Sequence, residues 1–334
     1  MVYKQKNSHL VFPEFDDIKV STKTFISMTN LTLDLGKLFH FLPVTDYIVV
    51  PKRRGRKKKV EKVDPNIGIL PGSIITLKFE DQLRGVDLKK KKAQIRKKRD
   101  KWFRNSFTVV IIMEDKAINF KVCQNGMFQI TGCKTDEHAE NCVKYIWEYI
   151  KDATDLYTFS RGDNLETLLI PAMRNIDFGL GFLVDREKLA MYMSVQTEFH
   201  SLLETSFGYT GVNIKIPVSE DISTLEVKKI TYEDGWKEKI VSYTDYLSLL
   251  PEKDRLKKLN KERYNTFLVF HSGKIIMSSI NSKFARDTYY YFLEIIRTCY
   301  DKIEERLDVD TDIEEEKKEN KMTEDLNKPI VKSF

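Results

Sequence analysis

The 334-residue chain lacks the residues that most enzymes and metal proteins are built around. Its four cysteines (Cys123, Cys133, Cys142, Cys299) form no CxxC pair and have no histidine at zinc spacing. Neither a metal site nor a disulfide framework is therefore expected, and the thiols read as buried and reduced. Five histidines (His9, His40, His138, His200, His271) are scattered, and none pairs with a Ser or Cys nucleophile. There is no GxxxxGK[ST] loop, HExxH, GxGxxG or nucleophile elbow. No cofactor and no enzymatic activity are expected. No apolar run reaches the roughly 20 residues of a membrane span, and Met1 to Phe15 lacks the apolar stretch of a signal peptide. A soluble, intracellular protein with no membrane partner is expected, and a monomer.

Charge, by contrast, is abundant and unevenly placed. The net charge is +6, yet Lys52 to Arg104 holds 20 basic and 6 acidic residues, leaving the remainder net acidic. Two runs carry the excess: one around Arg53, Arg54, Arg56, Lys57 and Lys58, the other around Lys91, Arg96 and Lys97. Such blocks repel themselves and seldom fold alone, so loops are expected there. A nuclear-localisation signal and a phosphate-contacting arm fit them equally. From Asp301 onward the balance reverses to 12 acidic against 7 basic residues, the pattern of a solubilising, disordered tail.

The sequence also repeats itself. MTNLTLDLGKL (28–38) and MRNIDFGLGFL (173–183) share Met, Asn, Leu, Gly and Leu at an offset of 145. FKVCQNGMFQITGCKT (120–135) and FLVFHSGKIIMSSINS (267–282) follow at an offset of 147, matching Phe120 with Phe267, Val122 with Val269 and Gly126 with Gly273. Asn125-Gly126 and Ser272-Gly273 between apolar runs predict hairpins. Each hairpin leads into a segment with helical apolar spacing, from Thr135 and from Ser282, both credible N-caps. Hairpins with one helix per unit imply an antiparallel sheet with helices on one face and the other face free.

These residues resemble the TATA-box-binding protein family. Its hairpin has the form [LI]-x-F-x-S-G-K-x-x-x-T-G-x-K. Leu268-Val269-Phe270-His271-Ser272-Gly273-Lys274 matches the first half, and Gly126 to Lys134, with Thr131-Gly132-Cys133-Lys134, matches the second. Phe25 to Leu38 resembles the family's opening strand and helix. The match covers roughly residues 22–42, 105–152, 167–216 and 264–300; its long insertions are similar to those of divergent relatives encoded by large DNA viruses.

The resemblance implies an α+β fold in which two pseudo-symmetric repeats form a curved, saddle-shaped antiparallel sheet with helices on the convex face. The segments would be an N-terminal extension (1–20), a first repeat (21–152) with a basic insertion (43–104), a second repeat (153–300) with an insertion (217–263), and the tail (301–334). It implies a transcription-initiation-like factor that binds and bends double-stranded DNA through the minor groove. Its partners would be transcription-machinery proteins, an initiation factor or RNA polymerase, in a nucleus or a cytoplasmic viral factory.

Phe270 occupies a wedge position, Phe107 lies 19 residues before Gly126 where the other wedge is expected, and Tyr209 is a third candidate. By strand alternation Thr24, Ile26, Lys121, Gln129, Thr131, Leu268, Ile276 and Ser278 should share the free face with Phe270, with Lys274 near phosphates. There are departures from the family pattern. Its central asparagines fall on Thr24 and Leu169, and the first hairpin's wedge on Cys123. The alternative is therefore a saddle-fold protein-interaction module that has lost sequence-specific DNA binding. Some DNA glycosylases carry a related sheet, but the turn they need is matched at Ile69 to Ser73 without its second glycine.

Overall fold

The computed structural model describes residues 10–48, 68–87, 105–197, 199–204 and 210–305. It is a mixed α/β protein dominated by one antiparallel sheet. In chain order the first half contains β1 (Val20–Thr29), β2 (Leu31–Leu33), α1 (Leu35–Phe41), β3 (Ile74–Phe79), β4 (Gln82–Gly85), β5 (Ser106–Ile112), β6 (Ala117–Cys123), β7 (Met127–Cys133) and α2 (Asp136–Ile150). After β8 (Tyr157–Phe159), which pairs only with β2, the second half contains β9 (Leu165–Gly179), α3 (Arg186–Gln196), β10 (His200–Glu204) and β11 (Gly211–Pro217). Next come β12 (Glu226–Tyr232), β13 (Trp236–Ser242), α4 (Tyr243–Ser248), α5 (Glu252–Leu259), β14 (Tyr264–Phe270), β15 (Lys274–Ser279) and α6 (Arg286–Ile303).

The sheet runs β10-β11-β14-β15-β9-β1-β7-β6-β5-β3-β4. Outward from the central β1–β9 pair the order is β7-β6-β5-β3 on one side and β15-β14-β11-β10 on the other, each stepping back through the chain. The expected insertion 43–104 is thus partly sheet: β3 takes the place that β10 takes on the other side, and β4 pairs with it at the edge.

Period-2 alternation explains which face is covered. Phe107, Val109 and Ile111 of β5, Ile118, Phe120 and Val122 of β6, and Phe128 and Ile130 of β7 are buried in one core with Leu38 and Phe39 of α1 and Val143, Ile146 and Trp147 of α2. Ile176, Phe178, Val212, Ile214, Phe267, Val269, Ile275 and Met277 form the matching core beneath α3 and α6. There Phe267 stacks on Phe292 with centroids 4.0 Å apart. Each such aromatic, fully buried, stabilises the fold by about 1.5–3 kcal/mol.

Hydrogen bonding corrects the sequence register. Gly126 O accepts from Thr29 N, and Gly273 O accepts from Leu180 N. Asp34 caps α1 by accepting from Lys37 N, and Asp185 caps α3 by accepting from Lys188 N. Both comparisons place the opening strands and helices of the two halves 151 residues apart, not 145. At this spacing Lys23 corresponds to Arg174, and these two residues face each other across the β1–β9 ladder. The five residues shared at offset 145 do not occupy corresponding places. Asn30 is buried and ties down the 161–166 loop through the carbonyls of Arg161 and Asn164 and the amide of Glu166. Asn175 instead lies mid-strand in β9. The hairpins keep their 147 offset: Gly126 and Gly273 both adopt left-handed backbone, with φ of 71° and 72°.

Helix starts differ slightly from expectation. Thr135 precedes α2 but makes no side-chain cap bond. α6 begins at Arg286 rather than at Ser282, whose carbonyl accepts from the Arg286 amide as the chain turns into the helix.

Candidate nucleic-acid interface

The face opposite the four main helices is defined by the residues that alternate with the core. Across the first half, Thr108, Lys121, Gln129 and Ile26 lie side by side in register on β5, β6, β7 and β1. Across the second, Leu202, Asn213, Leu268, Ile276 and Asp177 do the same on β10, β11, β14, β15 and β9. Thr131, Thr24 and Ser278 sit in neighbouring rows of this face, and Lys274 is exposed at the start of β15. Every one of these expected residues therefore falls on the helix-free side. The rows differ in chemistry: Thr108, Lys121 and Gln129 make the first mostly polar, whereas Leu202, Leu268 and Ile276 make the second richer in apolar side chains, beside Asn213 and Asp177.

Phe270 is half-exposed at the end of β14 and belongs to none of the hydrophobic cores. It lies opposite Gly211, at a shallow depression shared with Asp177, Gly179, Thr210 and Lys274. A Cβ at Gly211 would meet Leu268 Cδ1 at 2.8 Å, so a larger residue there would push the Leu268 side chain aside. His271, in the following turn, pairs with Glu305.

Phe107 does not join this surface. It is fully buried beneath the first-half helices, edge-on to Phe79 at 6.5 Å, because it shares the inward register of Val109 and Ile111. Cys123, the counterpart of Phe270 at the 147 offset, is half-buried, and burial raises its thiol pKa, which disfavours the thiolate. Leu169 is buried among the helix-side core residues. At the 151 offset Thr24 corresponds to Asn175, whose buried Oδ1 has no hydrogen-bond partner. Tyr209 and the basic-run residues Arg53, Arg54, Arg56, Lys57, Lys58, Lys91, Arg96 and Lys97 lie outside the described residues.

The 217–263 segment changes the face in a way the sequence did not signal. β12 pairs with the N-terminal part of β9, extending the sheet. On the helix side the β12–β13 hairpin packs Tyr232 and Trp236 near Trp147, and Lys228 pairs with the almost fully buried Glu140. Lys144 joins Glu140 and Glu238 in the same network, and hydrogen bonding from Lys144 holds the Glu238 carboxyl below its ordinary range. On the opposite side Tyr243, Tyr246 and Leu247 of α4, with Ile222 and Leu225, bury Leu168 and Ile170 and pack on Met28. One edge stripe of the otherwise helix-free face is therefore covered by the chain itself. Thr24, Lys121, Gln129, Thr131, Leu268, Phe270, Ile276 and Ser278 lie outside that contact.

Among the described residues no group of three or more His, Cys, Asp or Glu side chains could hold a metal ion, and no helix is long and apolar enough to cross a membrane. The thiols of Cys133 and Cys299 are pushed up to about 12 by burial, and burial likewise raises that of Cys142 well above its ordinary value.

No protein-family model matches the chain. It is similar to uncharacterized protein 335L of Invertebrate iridescent virus 6, at 26% identity over 216 residues. The match takes in 62% of this chain and 64% of that protein, so it spans less than two thirds of the relative's length. Among solved structures the chain is similar to Methanococcus jannaschii TBP, with a TM-score of 0.42 and 11% identity, covering 84% of this chain and 98% of that one.

Proposed function

We propose that this is a duplex-DNA-binding protein with a transcription-initiation-like role. Its two halves are copies of one unit forming a curved platform, and the helix-free face engages and bends DNA through the minor groove. The observation that carries the reading is how Leu268, Phe270 and Ile276 are presented. They are half-exposed on strands whose intervening residues, Phe267, Val269 and Ile275, are locked in the core. Rigidly held apolar side chains at a strand end suit insertion between base steps, where unstacking costs a few kcal/mol per step and must be offset by wrapped contact. The small polar rows at Gln129, Thr131, Thr24 and Ser278 suit the minor groove, whose pattern is degenerate between A·T and T·A. The basic excess of residues 52–104 supplies sequence-blind attraction to phosphates. The helix side would meet transcription-machinery proteins; on α3, Met191 and Val195 are 64% and 69% exposed, one turn apart. The viral relative fits action in a nucleus or a viral factory.

One observation favours the second reading, a protein-interaction module. The stripe of Met28, Leu168 and Ile170 that a symmetric saddle would offer to DNA is occupied by α4. A salt titration on duplex DNA combined with an end-to-end distance assay separates the readings. Steep salt dependence with bending supports the architectural factor. A steep slope without bending leaves only the lysine-rich segments as contacts, and no binding at physiological salt favours the protein module.

A further inference from the structure

The 217–263 segment does more than cover a stripe of the face. Between α4, the α5–β14 turn and the central strands runs a crevice of about 460 Å³, floored by Ile26 and Ile170. Lys215, Lys258, Lys261 and Arg263 line it, against a single carboxylate, Glu262, which accepts from the Tyr264 hydroxyl. Arg263 donates to the carbonyls of Lys258 and Lys261, fixing the turn that carries both lysines. Lys258 Nζ lies 5.5 Å from the centre of the Tyr246 ring, the side chain that anchors α4 to the sheet. None of Lys215, Lys258 and Lys261 forms an ion pair with a described residue.

We propose that this crevice is a phosphodiester-binding wall that holds one backbone of a duplex lying on the helix-free face. The inference rests on the DNA-binding reading above and adds an orientation to it. The wall stands beside the second-half row of Leu268 and Ile276, so the duplex contacts one half through Phe270 and the cations and the other through Lys121 and Gln129.

The test is the salt dependence of duplex binding by the full chain, read by fluorescence anisotropy. Each phosphate contact contributes about 0.9 to the log–log slope. The triple variant Lys215→Ala/Lys258→Ala/Lys261→Ala is expected to lower the slope by about 3. Removing three cations from the helix side (Lys37→Ala/Lys188→Ala/Lys302→Ala) should leave the slope near wild type. Circular dichroism confirms that each variant is folded. A wild type that binds with a slope the crevice variant leaves unchanged overturns the wall alone. A wild type that does not bind duplex DNA overturns the DNA reading and the wall together.

Discussion

Replacing Gly273 by alanine should destabilise the protein well beyond the ordinary cost of a left-handed turn. With φ at 72°, any L-residue there is strained by about 1–2 kcal/mol. The added Cβ would also fall 2.1 Å from the carbonyl oxygen of Phe182, a backbone atom that cannot rotate away. Relieving that overlap shifts the segment between β9 and α3 or the hairpin, adding about 1–3 kcal/mol. Gly126 repeats the situation in the first half, with φ of 71° and Leu31 O at 2.2 Å. Gly132 is the control: its φ is 78°, but nothing lies within 4 Å of the added carbon. The gain from restricting the unfolded chain is shared by all three and cancels. In thermal unfolding, Gly126→Ala and Gly273→Ala should lose roughly 5–15 °C, and Gly132→Ala markedly less. If all three variants melt together, close packing at the two hairpins is not what holds them, and the correspondence between them loses its physical basis.

Lys228→Ala should cost about 1–3 kcal/mol, because it leaves the buried Glu140 with Lys144 alone; amide exchange across residues 226–242 should rise with it. An unchanged exchange pattern would mean that packing alone holds the hairpin. Acidification should destabilise the fold. The carboxyl of Asp185 is lowered chiefly by the Lys188 amide, and that of Glu238 by Lys144; at Glu166 burial works in the opposite direction, but Lys229 and Arg161 outweigh it. Each folded-state pKa lies below its unfolded value, so this stability is complete above the normal carboxyl range near pH 4 and is lost as pH falls through the folded values. A melting temperature independent of pH below that range would contradict it. With iodoacetamide at about pH 8 the native protein should be modified at Cys123 at most, and the denatured chain at all four cysteines, since only the thiolate reacts. Native labelling of Cys133, Cys142 or Cys299 would show that burial is looser than described.

The sequence was most legible where local chemistry is strong. Asn125-Gly126 and Ser272-Gly273 located both hairpins, and alternation around Phe267 and Phe120 identified which residues face away from the helices. It was least legible where identity stood in for geometry. The offset of 145 rested on Met, Asn, Leu and Gly, residues that recur for unrelated reasons, and Asn30 and Asn175 serve different structures. The reliable signal was weaker to the eye: Asp34 and Asp185 with Lys37 and Lys188 three residues on, two aspartates capping helices. Phe107 was placed by counting from Gly126, which fixes distance along the chain but not the face. Its neighbours Val109, Val110, Ile111 and Ile112 are apolar on both registers, so alternation had nothing to contrast. Val110 and Ile112 are buried on the other side by Tyr47 and Ile69, a contact between distant segments that no local pattern reveals. The packing of α4 on Leu168 and Ile170 was hidden for the same reason.

The central claim concerns the helix-free face and the aromatic ring at the end of β14. Bending of a duplex labelled at both ends, measured for wild type and for Phe270→Ala, tests it most directly. Because Phe270 lies outside the hydrophobic cores, the variant should keep its fold and its salt-dependent binding while losing the bend. A variant that bends DNA as the wild type does would show that the ring is not inserted and that the account of the face is wrong.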